Sequence, residues 1–168
     1  MHEAMKLFSL NGYLNTGIND IIKSSNSAKG GFYHYFISKE DLFYVVLEEA
    51  LRIWPEKTLD KLDQINNPVD KIIQLLTNYK DNYLRYSEIF PGGCIFVTLF
   101  VELENQHPPL AKKVKNGFIN LKKMHRMFLD EGKELGYLKK EMDASAVSEM
   151  LFSSMLGTST IYGTEIYQ

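Results

Sequence analysis

The sequence predicts an all-α chain in two parts: a three-helix helix-turn-helix domain over residues 1–46 and a second helical domain over 47–168. Two observations predict it. Residues 16–42, TGINDIIKSSNSAKGGFYHYFISKEDL, read as two short helices joined by a tight turn and followed by a third helix with a capped start. From residue 69 onward, apolar residues recur at helical spacing between Pro, Gly and Asn breaks.

The elements follow in order. Ala4, Leu7 and Phe8 share a helical face and Gly12 closes that helix, so the chain opens inside a helix whose beginning is expected to lie upstream. Thr16 is placed to N-cap the next helix, with Ile18, Ile21 and Ile22 as its apolar residues. Ser24-Ser25-Asn26-Ser27 ends it, and Asn26 is the residue most tolerant of a left-handed turn. A helix of about two turns then runs from Ala28 to Tyr35. Phe32 and Phe36 face the core, while Lys29 and Tyr33, an i, i+4 pair with His34 beside it, lie on a face that a core does not want. That is the outline of a DNA reader whose second helix enters the major groove. Ser38-Lys39-Glu40-Asp41 starts the fourth helix in near capping-box form. Lys39 in its first turn opposes the helix dipole, which makes sense if ammonium and free backbone N–H groups hold a phosphate; a plain exposed lysine is the other reading.

Helix four is expected to end near Trp54, before Pro55. A short amphipathic piece follows (Leu59, Leu62, Ile65), then Asn66-Asn67-Pro68 as a break. One long helix is expected from Val69 to Phe90, then a Gly92-Gly93 turn, an apolar helix from Cys94 to Glu104, a long helix from Pro108 to about Leu135 closed by Gly136, and a last helix from Ala144 towards Tyr162 capped by Asp143.

The motifs Phe8-x3-Gly12-Tyr13, Thr16-x4-Ile21 and Lys29-Gly30-x2-Tyr33-x2-Phe36-x2-Lys39-Glu40-x-Leu42 resemble the N-terminal domain of the tetracycline-repressor (TetR) family. The resemblance implies an all-helical homodimer in which three N-terminal helices bind double-stranded DNA at a palindromic operator. It implies a C-terminal domain, here 47–168, that binds a small-molecule effector and dimerises. It places Thr16, Lys29, Tyr33, His34 and Lys39 where family members touch DNA. Two positions depart from the family pattern. Ala28 stands where serine is usual, and Gly31 where threonine is common. Both remove hydroxyls, and glycine in a helix costs on the order of 1 kcal/mol relative to alanine.

Tyr79, Tyr83, Phe96, Phe100 and Phe118 crowd the middle of the second domain. They read as core packing or, as a set, as the lining of a pocket for a small apolar or aromatic ligand, with Glu102, Glu104 and Asn105 as possible polar anchors. Cys94 at a helix start reads as a buried small hydrophobe or as a redox sensor. The last helix interleaves Met150, Leu151, Met155 and Leu156 with Ser153, Ser154, Gly157 and Thr158. Met150, Ser154, Met155, Gly157 and Thr158 are the residues expected at a dimer seam, ordinary intrachain packing being the alternative.

Charge and composition narrow the function. Residues 1–54 hold Lys6, Lys23, Lys29, Lys39 and Arg52 against Glu3, Asp20, Glu40, Asp41, Glu48 and Glu49, an acidic balance for a nucleic-acid surface. No apolar run reaches the roughly 20 residues needed to span a bilayer and no signal pattern opens the chain, so a cytoplasmic protein without membrane contact is expected. With one cysteine no internal disulfide forms. Glu104-x2-His107 is a single Glu-x-x-His element where a di-iron bundle needs two, and the basic stretch Lys112–Arg126 has an apolar opposite face, as a solvated helix does. No metal, cofactor or enzyme motif is present. The expected function is a ligand-responsive DNA-binding regulator, a repressor; the alternative is a small-molecule-binding protein on the same scaffold with weak DNA binding.

Overall fold

The computed structural model describes residues 1–86 and 88–165, with backbone only for 162–165. The described residues form helices α1 (His2–Asn11), α2 (Ile18–Ser24), α3 (Lys29–Tyr35), α4 (Lys39–Thr58), α5 (Pro68–Asn78), α6 (Ile95–Leu103), α7 (Pro108–Glu134) and α8 (Ala144–Glu165), with no strand among them. Residues 166–168 of the expected second domain lie outside the described residues.

The first three helices close over the start of α4. Phe8, Tyr13 and Phe43 form an aromatic cluster, with edge contacts of 5.6 Å between Phe8 and Tyr13 and 5.2 Å between Tyr13 and Phe43. Ile21, Phe32 and Leu42 complete that core. Ser38 caps α4 by accepting from the Asp41 amide at 3.0 Å. The α2–α3 turn passes through Asn26 at φ 50°, as its side chain permits.

Three boundaries differ from expectation. Gly17, not Thr16, is the N-cap of α2, and the Asp20 carboxylate accepts from its amide at 2.9 Å. Helix α4 runs through Pro55 to Thr58. The proline removes one donor, but the Thr58 hydroxyl adds a bond of 2.7 Å to the Trp54 carbonyl, and the turn around them stays helical. The helix expected over 69–90 stops being α-helical at Asn78. A π-helical turn, Tyr79–Leu84, takes over and ends there. The helix starts at Pro68, inside the expected break and one residue before Val69: Asn67 accepts from the Val69 amide at 2.9 Å and Pro68 takes the first helical position.

The second half is a bundle in which α7 packs on α5, α6 and α8. Leu75, Leu84, Phe90, Ile95, Leu99 and Leu110 are fully buried there. Asp143 caps α8 through the Ser145 and Ala146 amides at 2.9 and 3.0 Å. Helix α6 also lies along α1. The approach is so close at Gly92 that a Cβ there would stand 2.0 Å from the Ser9 carbonyl oxygen, so only glycine fits.

Candidate functional site

Two places in this fold hold chemistry that folding alone does not use: the outer face of α3 and a cavity between α4, α6, α7 and α8.

Phe32 turns inward from α3, its ring 5.5 Å from that of Phe36. The opposite face is open. Lys29, Gly30, Gly31, Tyr33, His34 and Tyr35 are all exposed, Tyr33 at 48% and Tyr35 at 76%. A Cβ added at Gly30 or Gly31 would meet nothing within 4 Å. Ile37, just past the helix, is 90% exposed. Tyr35 and Ile37 were not singled out from the sequence. The face offers one cation, an imidazole, two phenols and bare backbone, which suits phosphate oxygens and base edges.

Two of the expected DNA contacts are placed otherwise. Thr16 is 1% exposed, and its hydroxyl donates to the Gly12 carbonyl at 2.6 Å and the Leu7 carbonyl at 3.3 Å, so it ties α1 to the turn that follows. Lys39 is half-buried; its ammonium donates to the carbonyls of Tyr13 (2.9 Å) and Thr16 (3.1 Å) and sits 4.3 Å above the Tyr13 ring. Burial lowers its pKa, and Glu102 across the turn works against that shift. The position at the start of α4 was read correctly, but the charge is spent on carbonyls of the α1–α2 loop.

Glu102 is the other half of that clamp and not the pocket anchor expected of it. From α6 its carboxylate accepts from the Tyr13 amide at 2.6 Å and the Leu14 amide at 3.0 Å. Gly12, at φ 79°, is the residue that lets it in: a Cβ there would lie 2.6 Å from Glu102 Oε1. The α1–α2 loop is thus held by an anion from α6 and a cation from α4. Glu104 and Asn105 are exposed and do not line the cavity between α4, α6, α7 and α8.

The cavity has a volume of about 260 Å³. Tyr79, Phe96 and Phe118 line it, as expected; Tyr83 and Phe100 do not. Phe100 packs edge-on against Phe118 at 5.3 Å. Tyr83 is fully buried behind Tyr79, their rings stacked 5.7 Å apart. The π-helical turn widens the spacing from Tyr79 onward and so turns Tyr83 into the core. The rest of the wall was missed from the sequence: Leu51 and Trp54 of α4, Leu121 and Met124 of α7, and Phe152 and Met155 of α8 among others. Met155, expected at a dimer seam, is 4% exposed and faces the cavity. Met150, Ser154, Gly157 and Thr158 remain on the exposed side of α8.

Cys94 lines the cavity at the N-terminus of α6, 4% exposed. Burial pushes its thiol pKa up, outweighing the backbone amides of Val97 and Phe96 that pull it down, so the helix N-terminus does not make it a thiolate. Burial, and then the neighbouring Cys94, also push Tyr79 and Tyr83 well up. The Tyr83 hydroxyl is buried beside the Cys94 thiol. Glu104-x2-His107 builds no metal site: among the described residues no group of His, Cys, Asp and Glu is arranged to hold an ion. No helix among them is long and apolar enough to cross a membrane.

Known proteins share this arrangement. An uncharacterised HTH-type transcriptional regulator from the lacX 3′ region of Lactococcus lactis subsp. lactis is 27% identical over 113 residues, covering 67% of this chain and 57% of that protein. The chain thus spans little more than half the length of that curated relative. A TetR transcriptional regulator from Chloroflexus aurantiacus J-10-FL superposes with a TM-score of 0.87 at 25% identity, over 99% of this chain and 85% of that one. The fold is also that of the regulator CifR in complex with 26-base-pair double-strand operator DNA (TM-score 0.84, 19% identity, covering 98% of this chain and 84% of that one). Residues 1–46 match the model of bacterial regulatory proteins of the tetR family, and residues 68–163 match the tetracyclin repressor-like C-terminal domain. The helix-turn-helix with its open α3 face and the helical bundle behind it are therefore two parts of one family design, and the chain belongs to the TetR family of bacterial regulatory proteins.

Proposed function

We propose that the chain is a cytoplasmic, ligand-responsive transcription regulator that binds a palindromic operator as a homodimer, and that it acts as a repressor released by a small apolar or aromatic molecule. Residues 1–46 are the reader and 47–168 the sensor and dimerisation domain. The observation that carries the reading is the open α3 face joined to a separate apolar cavity through one helix, α6, whose Phe96 and Val97 line the cavity and whose Glu102 holds the loop before α2.

In this reading Lys29, Tyr33 and His34 make the base-edge and phosphate contacts, with Tyr35 and Ile37 at the margin. Lys39 and Thr16 act one step back, by fixing the loop that positions α2 and α3. The exposed side of α8, with Met150, Ser154, Gly157 and Thr158, is the dimer seam, since small residues let crossed helices approach closely. A ligand that shifts α6 moves the clamped loop, and an equilibrium shift of that kind needs only a few kcal/mol of differential binding.

The test is selection from random duplexes at moderate salt, followed by sequencing. Enrichment of a palindrome is expected, and Tyr33→Ala is expected to abolish it while leaving the thermal midpoint unchanged. No enrichment would shift the reading to a small-molecule-binding protein on this scaffold, which the acidic balance of residues 1–54 and the inward-facing Lys39 favour.

A further inference from the structure

The cavity between α4, α6, α7 and α8 is open on one side and sealed on the other. Leu51 of α4 and Asn120 of α7 are the exposed residues of its wall, so the mouth lies between those two helices. Tyr79, Cys94, Phe96, Val114 and Met155 are buried and form the inner end. None of the wall residues is an Asp, Glu, Lys, Arg or His, so an ion inside would carry its full desolvation cost. The polar groups of the inner end are already committed. The Tyr79 hydroxyl is bonded to Ser159 and Cys94, and the Cys94 thiol to Tyr79, Tyr83 and the amides of Val97 and Phe96. The other polar side chains of the wall are Trp54, half-buried on α4, and Asn120 at the mouth.

Gly117 also lines the cavity, on the α7 side of that mouth and facing Leu51. It lies well inside a 27-residue helix, where glycine is disfavoured against alanine. Neither backbone nor packing asks for it there. Its φ is not positive, and a Cβ would meet only Leu51 Cδ2, at an ordinary contact of 3.9 Å. What the glycine preserves is the gap itself: a longer side chain at this point would reach towards Leu51 and cross the opening.

We propose that Gly117 is the gate of the cavity and that the effector is a neutral, flat aromatic molecule of about two fused rings, which passes between Gly117 and Leu51, buries a ring free of polar atoms at the inner end and leaves any hydrogen-bonding atom at the mouth beside Asn120. The inference rests on the reading of the cavity as the effector site. Size supports it: an apolar cavity of about 150 Å³ holds benzene, so 260 Å³ admits about ten non-hydrogen atoms, the size of naphthalene. Trp54, Phe96, Phe118 and Phe152 supply ring faces around that volume. Carboxylic acids and amines are disfavoured by the uncharged wall, and long acyl chains by its size.

The experiment uses three probes of one shape on the full chain, near neutral pH where all are uncharged. They are naphthalene, quinoline with one ring nitrogen as acceptor, and 1,5-naphthyridine with one nitrogen in each ring. Binding is read by equilibrium dialysis to the parent, Gly117→Ala and Gly117→Leu. Quinoline keeps its nitrogen at the mouth and is expected to bind within about threefold of naphthalene. The naphthyridine has to bury one unpaired acceptor whichever ring enters first, and is expected to bind at least about tenfold more weakly than quinoline. Gly117→Ala is expected to bind naphthalene as the parent does, and Gly117→Leu at least about tenfold more weakly with an unchanged thermal midpoint. If Gly117→Leu does not fold, Leu51→Phe narrows the same opening from α4 and takes its place.

Naphthyridine binding as tightly as quinoline overturns the apolar inner end, and quinoline binding as weakly as naphthyridine overturns the orientation. Unchanged naphthalene binding to the folded gate variant overturns the gate. If none of the three binds the parent, the whole inference falls, and the operator selection still decides the DNA reading. The effector reading is tested apart, by adding the tightest probe to the complex with the selected operator. Release without the expected order of affinities keeps the effector site and overturns the ligand class; the expected order without release overturns the effector reading alone.

Discussion

Removing the Glu102 carboxylate should loosen the α1–α2 loop and lower the stability of the whole chain. In Glu102→Ala the amides of Tyr13 and Leu14 lose acceptors at 2.6 and 3.0 Å. A hydrogen bond to a charged group is worth about 1.5–3 kcal/mol, and the first of these two is half-buried, so water replaces it poorly. The second is exposed, and water replaces much of it. Together they contribute about 2–4 kcal/mol, to which the small residual attraction between Glu102 and Lys39 adds little. For a chain of this length that is roughly 4–16 °C in the unfolding midpoint. Glu102→Gln keeps one acceptor oxygen and should lose about half as much. The assay is thermal unfolding by circular dichroism together with amide exchange by NMR, where protection should fall at Tyr13 and Leu14 first. An alanine variant that unfolds within about 1 °C of the parent, with those two amides still protected, would refute the clamp.

Two further outcomes follow from the same geometry. Gly31→Ala places a methyl in open space on α3, so helix propensity should stabilise the chain by about 0.8–1 kcal/mol, read as a rise of roughly 2–4 °C, while operator affinity falls because the bare backbone there can no longer approach DNA closely; fluorescence anisotropy on the selected operator measures the second effect. His125 is fully buried in α7 with neither ring nitrogen paired, and burial lowers its pKa from 6.5 to about 4, so the folded state binds fewer protons than the unfolded one between those values. Stability should then be full above pH 6.5 and drop by about 2–3 kcal/mol as pH falls to 4, and urea titrations of His125→Phe should lack that part of the slope; an unchanged slope would mean the imidazole is not the titrating group.

The sequence was legible where an interaction is local and periodic. The two faces of α3 follow from the i, i+4 spacing of Phe32–Phe36 and Lys29–Tyr33. The caps at Ser38 and Asp143 follow from side chains that bond their own neighbours. Met155 was legible too, though it was set on the same face as Met150. Five residues turn a helix by about 140°, so the two cannot share one seam, and Met155 faces the cavity. Tyr83 was not legible, because the π-helical turn that moves it off the cavity wall leaves no mark on an apolar pattern read at 3.6 residues per turn. Lys39 and Thr16 were assigned by position in a motif, and a motif does not say which way a side chain points. Their carbonyl partners lie on the loop between α1 and α2, and nothing at Lys39 itself announces them.

Glu102 shows why the longest-range contacts escape. It sits on a helix that otherwise reads as buried hydrophobe, 89 residues from Tyr13 in sequence, and its role needs the glycine at position 12 to open the space. Yet this pairing gives α6 two loads. Val97 touches the cavity and Glu102 touches the loop, five residues and so about 7.5 Å apart on one stiff helix. A ligand that displaces the Val97 end carries the Glu102 end with it unless α6 pivots there or bends, and no proline or glycine interrupts it between Ile95 and Leu103. The loop must then move or lose two charge-assisted hydrogen bonds, and either outcome reaches α2 and α3 through Thr16 and Lys39, which hold the same loop from the other side.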